Sequence, residues 1–238
     1  MPPPRLYCSR IAEGNLRLSA EESHHAVSVL RVKPGDEVVV FDGAGRQADA
    51  VVQHADRNRL DVTVTRVTEH PFELAYKLTL AVAMPKAHRR GYLIEKCTEL
   101  GVAAIQPIIT ERSVAGSKPG AVEKWSRRAI EAAKQSKRTW VPRIETPTLL
   151  AKSIECLGEF DAAALADASP HAVSFSDFLE TLPQGGSIML WIGPEGGWSD
   201  AERGLAAEAG LTTVRLSPTV LRTETAAAVA CAAVAMSS

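Results

Sequence analysis

Cysteine is scarce in this chain, and zinc-binding patterns are missing from it. Among its 238 residues, no cysteine pairs as C-x-x-C or accompanies a histidine cluster of ligand spacing. The adjacent His24 and His25 lack a third ligand, so we expect His25 to pack or to form hydrogen bonds. These absences predict a reduced, cytoplasmic protein that binds no metal. The cysteines are Cys8, Cys97, Cys156 and Cys231.

Long hydrophobic runs are lacking as well. The longest alanine-rich stretch, residues 226–236, is too short to cross a bilayer, and no signal peptide precedes Tyr7. We therefore expect a soluble protein without a membrane partner. Because 45% of the residues are hydrophobic, the chain can form one large domain or two small ones with a sizeable core.

The net charge of −1 hides a strong asymmetry along the chain. Residues 84–143 contain 13 Lys and Arg against 5 Asp and Glu, whereas residues 144–238 contain 4 against 12. A local basic surface is typical of proteins that contact phosphates, so the middle segment is a candidate RNA-binding surface. The alternative is a solvated basic helix that pairs with the acidic C-terminal third.

The hydrophobic patterning predicts two domains, 1–70 and 71–238, with a break at His70-Pro71. The first reads as mostly β, with one helix that opens on a capping box at Ser19 and Glu22. The second alternates strands and helices, which favours a parallel sheet with helices on both faces. The predicted strands are 37–41, 47–54, 60–67, 77–84, 103–109, 161–166, 187–192 and 212–216, and the predicted helices include 19–30, 85–101 and 122–137.

The helix at 122–137 has an apolar face and a basic face. The residues predicted to face inward are Trp125, Ala129, Ala132 and Ala133. Those predicted to face largely outward are Lys124, Arg127, Arg128, Lys134 and Arg138.

Two loops near the C-terminus follow strands in succession. The first, Gly193 to Gly197, follows an apolar strand and precedes a helix that a capping box at Ser199 and Glu202 opens and Gly210 ends. The second, Ser217 to Arg222, precedes an alanine-rich helix that Thr223 or Thr225 could cap. In open α/β sheets, ligands lie beyond the carboxyl ends of the strands, so both loops could face one pocket. Neither G-x-G-x-x-G nor Gly-Lys-Ser/Thr is present, and a plain tight turn remains the alternative for the glycine loop.

Together, Ile192-Gly193-Pro194-Glu195-Gly196-Gly197 and Leu221-Arg222-Thr223-Glu224-Thr225-Ala226 resemble the ribosomal small-subunit methyltransferase E family of the SPOUT class. Further similar motifs occur in the family's order across nearly the whole chain, at Arg5 with Tyr7, at His25 with Val29-Leu30-Arg31, at Glu95 to Val102, and at Gln135 to Arg138. The resemblance implies a PUA-like RNA-binding β-barrel at 1–70 and a SPOUT α/β domain with a C-terminal trefoil knot at 71–238. It also implies a homodimer that pairs through the alanine-rich end, although a tight intramolecular seam would explain that end as well.

The resemblance further implies transfer of a methyl group from S-adenosyl-L-methionine to N3 of one uridine in 16S rRNA, near the decoding site of the small ribosomal subunit. Arg138 and Arg222 are candidates for stabilising the uracil anion, and Glu224 or water for accepting its proton. The implied cofactor-binding residues are Ile192, Gly193, Pro194, Glu195, Gly196, Gly197, Leu216, Ser217, Val220, Leu221, Arg222 and Thr225. The implied RNA-binding residues are Arg5, Tyr7, His25, Arg31, Lys86, Arg89, Arg128 and Arg138.

Three positions depart from the family's motifs. Ser217 and Thr219 stand where the family commonly has glycine and arginine, and Lys137 replaces the glycine before Arg138. We expect these changes to affect cofactor fit, RNA affinity or the direction of Arg138. A catalytically silent RNA-binding protein is the main alternative function. A nicotinamide-dependent oxidoreductase is disfavoured because its fingerprint and its ribose-binding acidic residue are missing.

Overall fold

The computed structural model describes residues 2–113, 119–183 and 185–237. The strands are β1 (Arg5–Tyr7), β2 (Gly14–Arg17), β3 (Glu37–Phe41), β4 (Arg46–Asp56), β5 (Arg59–Glu69), β6 (Lys77–Ala83), β7 (Ala104–Ile109), β8 (Arg143–Ile144), β9 (Thr148–Leu149), β10 (Ala162–Ala166), β11 (Val173–Ser174), β12 (Ser187–Ile192) and β13 (Thr212–Arg215). The helices are α1 (Ala20–Ser28), α2 (Ala87–Glu99), α3 (Ala121–Ser136), α4 (Leu150–Ile154), α5 (Phe175–Glu180), α6 (Asp200–Glu208) and α7 (Thr223–Met236), with a 3-10 helix at Glu155–Glu159.

The chain divides into two compact units. The N-terminal unit comprises Met1–Glu73 and Ile130–Val141, and the C-terminal unit comprises Leu74–Ala129 and Pro142–Ser238. The end of α3 and the segment after it therefore group with the first unit, although they follow the predicted domain boundary at residue 70. That boundary stays a prediction.

A five-stranded sheet in the order β1-β3-β4-β5-β2 forms the N-terminal unit, as the β-rich pattern predicts. Only β1 and β3 pair in parallel, and the other neighbours are antiparallel. Alternate residues such as Val38, Val40, Leu60 and Val62 are buried, since successive side chains of a strand point to opposite faces. Helix α1 packs against β4 and β5 and closes this core.

The predicted capping box at Ser19 is only half formed. The Ser19 hydroxyl accepts a hydrogen bond from the Glu22 backbone N–H, but the Glu22 carboxylate turns into the unit instead of returning to Ser19. There it accepts from the Tyr7 backbone N–H at 3.1 Å and pairs with the Lys134 ammonium at 2.7 Å. The Glu22 and Lys134 side chains are only 9% and 5% exposed, so they form a buried ion pair.

The outward prediction for Lys134 and Arg138 was wrong. Both are buried, whereas Lys124, Arg127 and Arg128 are exposed as predicted. The Arg138 guanidinium pairs with Glu73 at 2.9 Å and lies 5.9 Å from the centre of the Phe72 ring. Burial of these charges is tolerable because each has an opposite charge within the same unit.

A mostly parallel pattern was predicted for the second domain, and the structure confirms it. Its sheet has the order β11-β13-β10-β12-β6-β7-β8, with β9 alongside β7, and all these pairs are parallel. On one face, Met189 and Trp191 of β12 join Leu150 of α4 and Ala206 of α6 in one core. On the other face, α7 packs on β6, β12 and α2. The predicted trefoil knot stays a prediction.

The final helix begins at Thr223, which is one of its two predicted caps. Its N-cap residue is Arg222, and no side chain caps it, so neither Thr223 nor Thr225 has the predicted capping role. Small side chains such as Ala227 and Ala230 are fully buried, as close packing requires. None of the described helices is long and apolar enough to cross a membrane.

Candidate active site

A cavity of about 250 Å³ opens at the carboxyl ends of three neighbouring strands of the C-terminal unit. These strands are β10, β12 and β13, which lie side by side in the sheet. Three successive loops meet there because parallel strands all end at the same edge. The lining residues are Ala166, Asp167, Ala168, Ile192, Gly193, Pro194, Glu195, Gly197, Trp198, Arg203, Arg215, Leu216, Ser217, Thr219, Val220, Leu221, Thr223 and Ala226.

The loop after β12 brings bare backbone to the cavity wall. A Cβ atom on Gly193 would lie 3.0 Å from the buried ring of Trp198, which leaves little room for a side chain. Gly197 has a φ of 69°, a conformation that favours glycine, and its N–H donates to the Pro194 carbonyl at 2.9 Å. Gly193 therefore makes room for the Trp198 ring, while Gly197 forms the tight turn and a Cβ atom there would meet only open space.

Trp198 ties the turn to the end of strand β10. Its indole N–H donates to the Ala166 carbonyl, at the end of β10, at 2.8 Å. The capping box that follows is complete, since Ser199 accepts from the Glu202 N–H and Glu202 accepts from the Ser199 N–H, as predicted. These hydrogen bonds fix the orientation of the glycine loop and of α6 relative to β10 and β12.

Arg112, which the sequence analysis did not single out, braces the same loop from the end of β7. Its Nη1 donates to the Gly196 carbonyl at 3.0 Å and to the Trp198 carbonyl at 3.3 Å. The neighbouring Glu111 N–H donates to the second oxygen of Glu202 at 2.8 Å. Sequence patterns alone do not reveal this brace, because its partners are more than 80 residues apart in the chain.

The loop after β10 and helix α6 each supply one member of a charged pair that the sequence analysis also missed. Asp167 and Arg203 both line the cavity, and Arg203 Nε donates to Asp167 Oδ2 at 2.8 Å. The position of Asp167 in the sequence could have indicated it, because it directly follows a strand end. Ligand-binding residues of parallel sheets concentrate there.

A second charged group lies beside the glycine loop. The Arg89 guanidinium is 3.4 Å from Glu195 and 3.5 Å from Glu224, at the start of α7. One oxygen of Glu224, Oε2, is buried and has no hydrogen-bond partner among the described residues. Arg89 therefore links the first loop to the final helix and balances part of their negative charge.

Most of the predicted cofactor-binding residues come together at the cavity. Those that line it are Ile192, Gly193, Pro194, Glu195, Gly197, Leu216, Ser217, Val220 and Leu221. Gly196, Arg222 and Thr225 are not among the lining residues; Gly196 contacts Arg112, and Arg222 and Thr225 are exposed. In the chain, Arg222 lies between the lining residues Leu221 and Thr223.

Several predicted RNA-binding residues belong to the N-terminal unit. Arg5 donates to Gln47 and to the Arg138 carbonyl, both at 3.0 Å, and burial lowers its pKa. Burial also raises the pKa of Tyr7, which packs edge-on against Phe41. Arg31 is exposed and has a φ of 59°, and His25 is partly buried. Arg5 and Arg138 therefore have structural partners, while Arg31 is open to solvent.

The other predicted RNA-binding residues belong to the C-terminal unit. Lys86 is exposed at the start of α2. Arg128 is exposed as well, and its guanidinium donates to the Gly91 carbonyl at 3.0 Å and to Glu95 at 2.9 Å. Both residues present charge to solvent beside α2.

Metal ligands and reactive thiols do not gather at the cavity. In the described ranges, no group of three or more His, Cys, Asp or Glu side chains is arranged to hold a metal ion. Cys97 is fully buried, and a hydrogen bond with Cys231 and desolvation raise its pKa well above the usual thiol value. A buried thiol with a raised pKa is a poor nucleophile. The cavity lining itself offers backbone groups and charged side chains such as Asp167 and Arg203.

The class of protein follows from the fold, the site and their match to known families. The family described as "RNA methyltransferase domain" matches residues 72–235, and the family described as "RNA methyltransferase PUA domain" matches residues 18–65. The cavity lies within the first match, and the second covers α1, β3, β4 and the first part of β5. The chain thus has the two-part architecture of this class of RNA methyltransferases.

Sequence relatives define the family more narrowly. The chain is 34% identical over 224 residues to the ribosomal RNA small subunit methyltransferase E of Synechocystis, covering 94% of this chain and 73% of the relative. It is 36% identical over 222 residues to the Mycobacterium bovis protein of the same name, covering 91% and 84%. The chain belongs to the ribosomal RNA small subunit methyltransferase E family.

A solved structure supports the same assignment. The crystal structure of the Neisseria gonorrhoeae ribosomal RNA small subunit methyltransferase E, bound to S-adenosyl methionine, superimposes with a TM-score of 0.86 at 28% identity. The match covers 97% of this chain and 96% of that one.

Proposed function

We propose that this protein transfers a methyl group from S-adenosyl-L-methionine to the ribosomal RNA of the small subunit. The observation that carries the proposal is the cavity at the ends of β10, β12 and β13, which Gly193 and Gly197 of the glycine loop line. Family membership and the Neisseria relative bound to this cofactor support it.

The residues present fit this cofactor. Gly197 leaves open space beside its backbone, Leu216, Val220 and Leu221 supply apolar contact, and Asp167 supplies a carboxylate. When bound, S-adenosyl-L-methionine supplies an activated methyl group on a sulfonium sulfur. The protein's contribution is alignment of this group with the attacking atom, and rigid loops suit that task.

At the finer level, we propose that the attacking atom is N3 of a uridine near the decoding site. Loss of the N3 proton leaves negative charge on the uracil carbonyl oxygens, which a fixed cation stabilises. Arg222 is exposed and lies between the lining residues Leu221 and Thr223, and we assign it this role. We keep Arg138 as a second candidate, although its guanidinium pairs with Glu73 in the N-terminal unit. Either Glu224 or water accepts the proton.

RNA binding is assigned to the N-terminal PUA domain and to the exposed basic residues beside α2. Arg31, Lys86 and Arg128 are exposed, as phosphate-binding side chains must be. Arg5, Tyr7, His25 and Arg89 complete the set that the family resemblance implies. We further propose a cytoplasmic homodimer that pairs through the region of α7, and a knotted C-terminal domain.

The direct test is single-turnover transfer of a labelled methyl group to small ribosomal subunits or 16S rRNA at saturating cofactor. Arg222→Ala is expected to lower the rate by roughly a hundred- to a thousandfold, because a preorganised donor is lost. Its affinity for the cofactor should change little, since the interaction strengthens only as charge develops on the base. RNA binding without any methyl transfer by the unaltered protein would instead support a catalytically silent RNA-binding protein.

A further inference from the structure

Asp167 and Arg203 form a preorganised polar contact within the cavity. Arg203 Nη1 donates to the Trp198 carbonyl at 2.8 Å, while its Nε donates to Asp167 Oδ2 at 2.8 Å. The Asp167 backbone N–H donates to the Val214 carbonyl of β13 at 3.0 Å. Main chain and side chain of Asp167 are thus both held in place before any ligand arrives.

One oxygen of this carboxylate is left for a ligand. Asp167 Oδ2 accepts from Arg203, but no donor among the described residues bonds to Oδ1. The side chain is only 11% exposed and lines the cavity. An acceptor in such a place gains most from a donor on a bound molecule, because water reaches it poorly.

The charges of Asp167 and Arg203 favour a neutral hydrogen-bond donor on the ligand over a cationic one. Arg203 already offsets the negative charge of Asp167, so an ammonium group at Oδ1 would lie close to the guanidinium and be repelled by it. A neutral hydroxyl carries no such penalty. In dinucleotide-binding α/β sheets, an acidic side chain plays this part by accepting a hydrogen bond from a ribose hydroxyl.

We propose that Asp167 binds a ribose hydroxyl of the nucleoside part of the cofactor, with Arg203 as the positioning residue that orients its carboxylate. The inference rests on the proposed function and deepens it, because it assigns the ribose subsite to a residue outside the two motif loops. It also makes Asp167 a determinant of specificity for a ribonucleoside over a deoxyribonucleoside.

Calorimetry with two ligands tests the proposal without any methyl transfer. The probes are S-adenosylhomocysteine and its analogue that lacks both ribose hydroxyls. Asp167→Ala is expected to weaken the first by about 10- to 100-fold, the range for one hydrogen bond to a charged group, and the second by less than about threefold. Arg203→Met should show the same pattern with a smaller loss. Asp61→Ala, which removes a carboxylate paired with two arginines in the N-terminal unit, is the matched control.

Circular dichroism of each variant reports folding, and Asp167→Leu, which is similar in shape and has no acceptor, replaces Asp167→Ala if the latter unfolds. Equal losses for both ligands, or no loss for either, would overturn the ribose assignment while leaving the proposed function intact. Failure of the unaltered protein to bind S-adenosylhomocysteine at all would instead contradict the proposed function, and the ribose subsite with it.

Discussion

The hydroxyl of Thr223, at the first position of α7, donates a 3.0 Å hydrogen bond to the carbonyl oxygen of Gly193, at the end of β12. Thr223 is almost fully buried, and both residues line the cavity. The bond ties the glycine loop to the loop that follows β13. The two motifs of the C-terminal region are therefore parts of one wall.

Thr223→Val tests this tie, since it removes the hydroxyl and keeps the shape. We expect the free energy of unfolding to fall by about 1–2 kcal/mol, because the Gly193 carbonyl loses its partner. Affinity for S-adenosylhomocysteine should fall as well, as the loop loosens. Urea denaturation and calorimetry measure the two effects. Thr181→Val, which removes an exposed hydroxyl bonded to Phe178, is the control, and equal behaviour of the two variants would contradict the tie.

The buried pair of Glu22 and Lys134 makes a second prediction, about the N-terminal unit. Lys134→Met leaves the Glu22 carboxylate buried without its cation, so we expect a loss of roughly 3–5 kcal/mol in unfolding free energy. Adding Glu22→Gln should restore much of it, because the amide oxygen can still accept from Tyr7 without a charge. Denaturant titration of both single variants and the double variant measures the coupling. Simple additivity of the two losses would show that the pair is not coupled.

Asp61 predicts a pH dependence of stability. Hydrogen bonds from Arg17, which has the larger effect, and from Arg59 lower the pKa of this carboxyl from 3.8 to about 2. The folded state therefore favours the charged form, so the stabilisation is complete above pH 3.8 and is lost as the pH falls towards 2. Asp61→Asn should lower stability at neutral pH and flatten the loss between pH 4 and 2. Thermal unfolding between pH 4 and 2 measures this loss of stability. If the variant loses as much stability as the unaltered protein over this range, the Asp61 ion pairs are not the cause of the loss.

Arg31 predicts an effect on RNA and none on the cofactor. Arg31 is exposed in the N-terminal unit, so Arg31→Ala should weaken RNA binding. The slope of log affinity against log salt should become shallower by about 1, which corresponds to the loss of one phosphate contact. Binding of S-adenosylhomocysteine should be unchanged. Arg10→Ala, another exposed arginine of the same unit, is the control. Filter binding at several salt concentrations measures the slope, and identical slopes for all three proteins would remove Arg31 from the interface.

The sequence predicted those features whose causes are local. The strands Glu37–Phe41 and Ser187–Ile192 have their predicted bounds, because short runs of β-branched and apolar residues end at turn residues. The capping box at Ser199 and Glu202 formed because both partners lie within one helical turn. The same four-residue signal at Ser19 was only half right.

The remaining features depend on partners far apart in the chain. The Glu22 carboxylate does not complete the capping box because it pairs with Lys134, 112 residues later in the chain. The periodicity of α3 does not predict that pairing. Asp167 and Arg203 meet because β10 lies between β12 and β13, an order that alternation of strands and helices does not specify. Nine of the predicted cofactor residues line the cavity because they lie at the ends of β12 and β13 or on the loops that follow, and both strands flank β10 and end at the same edge of the sheet.

The central claim, methylation of N3 of one uridine in small-subunit rRNA, is tested most directly by mass spectrometry of nuclease fragments of 16S rRNA. Cells with the intact gene, with the gene deleted, and with the deletion complemented by the unaltered gene or by Arg222→Ala are compared. We predict one fragment with a uridine methylated on the base at N3, present with the intact or restored gene and lost or strongly reduced in the other two. Identical methylation of 16S rRNA with and without the gene would contradict the account.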